Sequence, residues 1–395
     1  LPSASKAFPI PKLPVFGWQT FAGDSRAPLP TLLDLPGLVF TTSGRAAIGL
    51  ALKALGVGPG DRVLLPTYHC TTMVAPAVAA GARPVYYPIT SSGSADLAAL
   101  EGLDTAGVRA MLAVHYFGFP QPLGEVRAFC DRRGINLIED CAHALFGETD
   151  GRTVGSWGDL AIASLTKFFP VPEGGCLVST RRPLNGVGLK RREALAEVRS
   201  LANMVETGVD HDRLWGLNTV LSMAFGVRNS FLHRRRAESS NGVDAPRTTE
   251  SELLAQFDQR LADHRPTRVC RWLARRASRE RIVTRRRENY AYLARRFEHF
   301  PGARPLLPEL PPTAVPYVFP LWVENPDGRY ALLKAERFPV FRWDWLWPGT
   351  PALPGDHGLP WSRHVFQLPC HQDLSREHLD ALVDRLGRTF ERVKP

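Results

Sequence analysis

Lysine is scarce in this chain of 395 residues: seven (6, 12, 53, 167, 190, 334 and 394) stand among 49 basic residues, and arginine carries the rest. Guanidinium stays charged at any ordinary pH and cannot replace an amine that must lose a proton and attack a carbonyl, so a lysine retained beside an apolar strand merits a chemical hypothesis. No apolar stretch approaches the roughly 18 residues of a membrane span, and the opening "LPSASKAFPIPKLPVFGWQTF" lacks the apolar core and small-residue cleavage site of a signal peptide. A soluble, cytoplasmic protein is the expectation. The six cysteines (70, 130, 141, 176, 270 and 370) lie far apart with no CxxC pair. That spacing speaks against a zinc site or a disulfide framework and for buried thiols. Low-complexity segments and internal repeats are missing too. Pro and Gly are plentiful but dispersed, as in a loop-rich folded chain.

What is present is an apolar fraction of 44%, a net charge of +10 and a length suited to about two domains. The positive balance suits an anionic partner, yet most of the arginines fall on helix-like runs such as "RRRENYAYLARRF", where solvated faces account for them. From about Leu38 to Thr180, short β-rich runs alternate with helix-like runs. The strands are "RVLLP" (62–66), "PVYYP" (84–88), "AMLAV" (110–114), "INLIED" (135–140), "LAIAS" (160–164) and "CLVST" (176–180). Their nearly continuous apolar character predicts strands covered on both faces by helices, an α/β architecture on a mostly parallel sheet. "SGRAAIGLALKALGVG" predicts a helix capped by Ser43 and stopped at Gly56. Further along, 238–251 reads as an exposed loop and about 250–300 as a long helical stretch. A Trp-rich segment (Trp343, Trp345, Trp347) and a closing helix capped by Ser375 follow. The predicted division is an N-terminal arm (1–37), a large α/β domain (38–246) and a smaller α+β domain (247–395).

Three features converge if the strands are parallel, since ligands bind beyond the carboxyl ends of strands in open sheets. Ser43, Gly44 and Arg45 open a helix, whose backbone N–H groups suit a phosphate. Asp140 ends a strand where a carboxylate can pair with a cationic ring nitrogen, and His143 stands three residues on. Lys167 follows an apolar run and precedes "EGG". Taken singly, each has a plain alternative in a helix cap, a half-buried histidine or a snorkelling lysine.

In order and in detail, "SGRAAIGLALKALGVGPGDRVLLP", "AGARPVYYPI", "AVHYFG", "LIEDCAHALFGETDGRTVGSWGD" and "TKFFPVPEGGCLVST" together resemble the DegT/DnrJ/StrS-type aminotransferases of fold type I. These enzymes use pyridoxal 5′-phosphate. "RRRENYAYL" and "VFQLPCHQDLS" resemble small-domain elements of the same family. The resemblance implies that Lys167 tethers the cofactor and serves as general base, that Asp140 faces the pyridine nitrogen, and that His143, where the family has Gln, lies near the phenolic oxygen. It implies phosphate contacts from Ser43, Gly44, Arg45 and Ser164, although the stretch from Asp159 to Lys167 is about two residues shorter than the family pattern. It also implies a homodimer acting on a keto-sugar nucleotide and an amino donor, with neither nucleic acid nor membrane as partner.

Two departures stand out. The position of the aromatic that stacks on the cofactor ring is Cys70, which leaves Tyr68 or His69 as the expected flat surface. The family's GxNxRM loop has its nearest counterpart in "NGVDAPRTTESEL", with Arg247 and Asn241. Two other readings remain open on the sequence: elimination or dehydration with the same cofactor, which retention of Lys167 opposes because dehydratase relatives carry histidine there, and a non-catalytic regulator whose arginine-rich helices contact nucleic acid.

Overall fold

The computed structural model describes residues 10–181, 184, 188–223, 225 and 249–393. Its main element is a seven-stranded sheet in the order β1-β9-β8-β5-β4-β2-β3. The strands are β1 (Val39–Thr41), β2 (Arg62–Pro66), β3 (Arg83–Tyr87), β4 (Val108–Val114), β5 (Asn136–Asp140), β8 (Leu160–Ser164) and β9 (Gly175–Ser179). A two-stranded hairpin of β6 (Glu148–Thr149) and β7 (Arg152–Thr153) lies between β5 and β8 in the chain. Every pairing from β3 to β8 is parallel; β9 runs against both of its neighbours, β8 and β1. The mostly parallel α/β sheet is therefore as the alternating runs predict.

The strands are apolar throughout because both faces are covered: β8 is buried at all five positions, and β5 at all but Asn136. Helices α1 (Gly44–Ala54), α2 (Thr71–Ala79), α3 (Leu97–Glu101) and α4 (Gly124–Arg133) follow β1, β2, β3 and β4 in turn. Helix α1 begins where the sequence places it. Ser43 Oγ accepts from the Ala46 N–H at 3.1 Å, and Gly56 takes φ +68° just past the end.

Beyond α5 (Ala194–Asp210), the stretch expected as one long helical run is four helices, Glu250–Leu254, Gln259–Ala262, Arg268–Arg276 and Arg279–Arg296. Breaks fall where Asp258, Thr267 and Ser278 open new helices, with Pro266 just before Thr267. A second, antiparallel sheet of β10 (Ala303–Pro305), β11 (Val318–Val323) and β12 (Val365–Pro369) carries the helices Pro326–Ala335 and Arg376–Arg392, the latter capped by Ser375. No helix of the described residues is long and apolar enough to cross a membrane. Residues 226–248, with Asn241, Arg247 and most of the loop expected at 238–251, lie outside the described residues.

Candidate active site

The carboxyl ends of β5 and β8 lie side by side, with Asp140 in register with Ile162. From β8 the chain turns through Leu165 and Thr166 to Lys167, and Leu165 N–H donates to the Gly174 carbonyl at 3.0 Å. The turn is fixed against the start of α1 by Gly174 N–H, which donates to the Thr42 carbonyl at 2.8 Å. Gly175 packs so closely there that a Cβ would stand 2.3 Å from the Ser43 carbonyl carbon and 2.6 Å from the Gly44 nitrogen. Only glycine permits that approach of strand to helix end. Between these segments lies a cavity of about 300 Å³, lined among others by Ser43, Gly44, Asp140, Ala142, Ser164 and Lys167. Its volume is at the small end of the range for small-molecule sites.

The cavity sets a partly buried amine near a buried carboxylate. Burial lowers the proton affinity of Lys167, Cys70 and Asp140 oppose the shift, and the Arg45 charge adds to it. Among the described residues Lys167 Nζ makes no side-chain hydrogen bond; it stands 5.1 Å from the centre of the Tyr317 ring. Burial raises the Asp140 pKa, against the Ala142 N–H and the charges of Lys167 and His115. Asp140 Oδ1 accepts from that N–H at 2.8 Å.

Directly behind Asp140, Glu139 is wholly buried and saturated. Oε1 accepts from His115 Nε2 (2.9 Å) and Gly155 N–H (2.6 Å), and Oε2 from Trp157 N–H (2.8 Å) and Gly158 N–H (3.2 Å). Together these bonds fix the end of β5. His115, Glu139 and Cys141 bring metal-ligand atoms within 4.8 Å of one another, but the carboxylate's acceptor capacity is already taken, so the group serves as a structural knot.

On the far side of Lys167, Arg286 from the helix Arg279–Arg296 is fully buried. Its Nη2 donates to the Lys167 carbonyl (2.7 Å), its Nη1 to the carbonyls of Pro316 (2.9 Å) and Tyr317 (3.1 Å), and its Nε to Gln372 Oε1 (2.8 Å). Gln372 Nε2 in turn donates to the Phe168 carbonyl at 2.8 Å. One guanidinium thus joins the lysine turn to the strand that presents Tyr317. Sequence reasoning missed this residue, since Arg286 sits in an arginine run that reads as a solvated face; the signal was the tyrosine and asparagine that share its helix.

Of the expected site residues, Ser43, Gly44, Arg45, Asp140, Ser164 and Lys167 all line the cavity. Ser43 Oγ is engaged as the α1 cap, which leaves backbone N–H groups at the helix start as donors, and Arg45 is exposed with Nη1 donating to the Gln256 carbonyl. Ser164 Oγ shares a hydrogen bond with Thr166 at 3.2 Å.

Tyr68 and His69 are placed elsewhere. Tyr68 is wholly buried among Tyr116, Phe117, Trp343 and Trp361, and its hydroxyl accepts from Gln367 Nε2 at 3.2 Å. His69 stacks on Tyr86, with Nδ1 against the Pro66 carbonyl and Nε2 accepting from the Trp347 N–H at 3.0 Å; burial brings it down to about 4. Neither is a stacking surface at the cavity, because the chain after β2 turns both rings into the aromatic core. The position at the cavity wall is Cys70, whose Sγ lies 3.1 Å from Thr72 Oγ1.

His143 lies behind the wall, packed on Tyr317 (4.6 Å between ring centres) and Trp343 (5.1 Å). Phe117 N–H points at its Nδ1 (3.3 Å), which puts the proton of the neutral ring on Nε2. Burial, reinforced by the Lys167 charge, keeps the ring neutral. The tryptophans divide: Trp347 is core, Trp343 is partly buried beside His143, and Trp345 is exposed. His371 is structural, with Nε2 on the Pro11 carbonyl at 3.0 Å.

These residues fit pyridoxal 5′-phosphate. A helix N-terminus with a Cβ-free approach suits a phosphate, a buried carboxylate with no cation in hydrogen-bond contact among the described residues suits a protonated ring nitrogen, and an amine of lowered proton affinity suits an aldehyde.

Residues 34–185 match the DegT/DnrJ/EryC1/StrS aminotransferase family. A UDP-N-acetyl-3-dehydro-alpha-D-glucosamine 3-aminotransferase of Acidithiobacillus ferrooxidans is 31% identical over 211 residues, 49% of this chain and 54% of that protein. A dTDP-4-dehydro-2,3,6-trideoxy-D-glucose 4-aminotransferase of Saccharopolyspora spinosa is 34% identical over 248 residues, 58% of this chain and 60% of that one. The chain therefore spans just over half the length of these two relatives. In overall fold it is similar to S. venezuelae DesV (TM-score 0.58, 22% identity, 90% of this chain and 85% of the other). It is also similar to a putative sugar aminotransferase of Streptococcus pneumoniae in its PLP-form (TM-score 0.60, 18% identity, 91% and 88%). The fold is that of the fold type I aminotransferases, and the match to the DegT/DnrJ/EryC1/StrS aminotransferase family is carried by residues 34–185.

Proposed function

We propose that the chain is a pyridoxal 5′-phosphate-dependent aminotransferase. It moves an amino group from an amino-acid donor to a keto group of a nucleotide-linked sugar, in polysaccharide or secondary-metabolite biosynthesis, as a cytoplasmic homodimer. The observation that carries the reading is one cavity holding Lys167, Asp140 and the N-terminus of α1. The names of the two relatives, which specify UDP- and dTDP-linked keto sugars, support the substrate class. Six free thiols suit a reducing compartment. The proposed division keeps the cofactor in the domain 38–246, with the arm 1–37 before it and the small domain 247–395 supplying Arg286 and Tyr317.

When bound, the cofactor supplies an aldehyde that carries the amino group and a ring that accepts electrons. The chain's own groups do the rest. Backbone N–H groups of Gly44 and Arg45, backed by the α1 dipole, hold the phosphate. Asp140 provides the buried negative charge that keeps a ring nitrogen protonated. Lys167 Nζ, its proton affinity lowered by burial, takes the proton from the donor's α-carbon and returns one to the acceptor carbon. Tyr317 and Arg286 keep that amine from swinging away.

The test is a single turnover. Protein loaded with pyridoxal 5′-phosphate and given glutamate should lose its yellow colour and release one equivalent of 2-oxoglutarate per site. Dehydration of a keto sugar with glutamate untouched would refute the assignment.

A further inference from the structure

A second cavity, larger than the first, lies on the other side of Glu173. It measures about 460 Å³ and is lined by five arginines, Arg191, Arg192, Arg265, Arg268 and Arg271, with Glu197 as its one carboxylate. Glu173 also lines the lysine cavity; its Oε2 stands 3.7 Å from Arg192 Nη2 and its Oε1 accepts from the Thr267 N–H at 2.8 Å. Among the described residues Arg192 alone of the five has an ion-pair partner. Glu197 is spent on backbone, both oxygens accepting from the Arg268 N–H at 2.7 and 3.0 Å. The Nε atoms of Arg192 and Arg271 are shielded from solvent without an acceptor. Helix α5 opens at this cavity with no side-chain cap on its N-terminal N–H groups.

Concentrating like charges in a concave space is costly, and Arg271 shows it: burial lowers its pKa, the charges of Arg265, Arg275 and Arg268 press the same way, and Glu197 opposes them only in part. Nothing in the packing requires the cost, since the side chains of Arg191, Arg265 and Arg268 reach solvent. A bound anion offsets it. Guanidinium forks satisfy phosphate oxygens in pairs, and five of them exceed what one carboxylate can use. The size and concavity suit a small molecule.

We propose that the arginine-lined cavity between α5 and the helix Arg268–Arg276 is a binding site for a diphosphate group. The chemistry has two sources, the diphosphate of the nucleotide-linked substrate itself or an independent phosphorylated ligand. The site stands on its own residues and does not depend on the reading of Lys167.

The test is calorimetric titration of the full chain with inorganic pyrophosphate at two ionic strengths. The expected result is saturable binding at one site per chain that weakens with salt, falls at least about tenfold in Arg265→Ala/Arg271→Ala, and is unchanged in Arg83→Ala on a remote strand end. Circular dichroism confirms that the double variant folds, and Arg265→Lys should rescue part of the affinity. Gly44→Asp, which puts a carboxylate at the start of α1, should leave pyrophosphate affinity intact and so separates this site from the cofactor cradle. No binding at low salt, or an equal loss in Arg83→Ala, overturns the proposal, as does loss in Gly44→Asp with retention in the double variant. The source follows from steady-state inhibition. Pyrophosphate competitive with the sugar nucleotide, with a raised KM in the double variant, assigns the site to the substrate; noncompetitive inhibition assigns it to a separate ligand, and either supports a diphosphate site. Because the titration needs no turnover, its outcome is independent of whether amine transfer occurs.

Discussion

Arg286 offers the sharpest perturbation. Burial pushes this guanidinium down to about 10, no carboxylate among the described residues touches it, and it satisfies three backbone carbonyls and one amide oxygen. Arg286→Met keeps the length and removes every donor. Each orphaned buried acceptor costs about 1 kcal/mol or more, while the relief of desolvating a charge recovers part of the sum, so the net loss is about 3 kcal/mol. For a chain of this size, with an unfolding entropy of about 0.8 kcal/mol/K, that lowers Tm by roughly 4 °C. A lost scaffold predicts more than instability: below the new Tm, kcat should fall while the KM for the amino donor changes little, because the lysine turn loses its anchor and the phosphate cradle does not. Arg286→Lys, which keeps a charge but loses the fork, should recover stability less than halfway. Thermal melts and steady-state kinetics on the three proteins check this. Wild-type Tm and kcat in Arg286→Met would refute the reasoning.

Asp140→Asn should retain fold and cofactor but lose about a hundredfold in kcat, measured by glutamate half-turnover. In the cofactor-free chain the same variant should flatten the pH dependence of stability. Burial raises the carboxyl's folded pKa, so the native state holds the extra proton and stability falls as pH rises through that window. Urea midpoints across pH read the slope. Glu139 runs the other way: burial disfavours its charge, but the His115, Gly155 and Trp157 donors outweigh it and hold the pKa low, so its stabilisation is present at neutral pH and lost as pH falls through the folded value. Glu139→Gln, which sets an amide against backbone N–H donors, should cost about 3 kcal/mol in chemical denaturation at neutral pH. Gly175→Ala should leave secondary structure intact by circular dichroism and weaken cofactor binding at least about tenfold by absorbance titration, since the new methyl forces Ser43 and Gly44 out of position.

Much of the sheet was legible because a fully covered strand leaves a continuous apolar signature: β2 and β8 match the predicted runs residue for residue, β4 and β5 differ by two residues and one at their starts, and β3 and β9 lie one residue earlier than predicted. β1 was invisible, three residues long and defined by its pairing with β9 rather than by its composition. That Lys167, Asp140 and the α1 start line one cavity was readable since each rests on local chain geometry. Tyr68 and His69 were misplaced because a sequence gives the order of neighbouring residues but not which of them turns inward; a one-position rotation after β2 sends two rings to the core and leaves Cys70 at the wall. Arg286 was illegible for the reason given by its partners, all of which are backbone or lie 30 or more residues away.

The proposed activity requires that the Lys167 amine bonds the cofactor. Borohydride reduction of the pyridoxal 5′-phosphate-loaded protein, followed by peptide mass spectrometry, tests it directly. The prediction is one pyridoxyl group per chain, on Lys167, and none in Lys167→Ala; a label on any of the other six lysines, or none in the wild type, would contradict it.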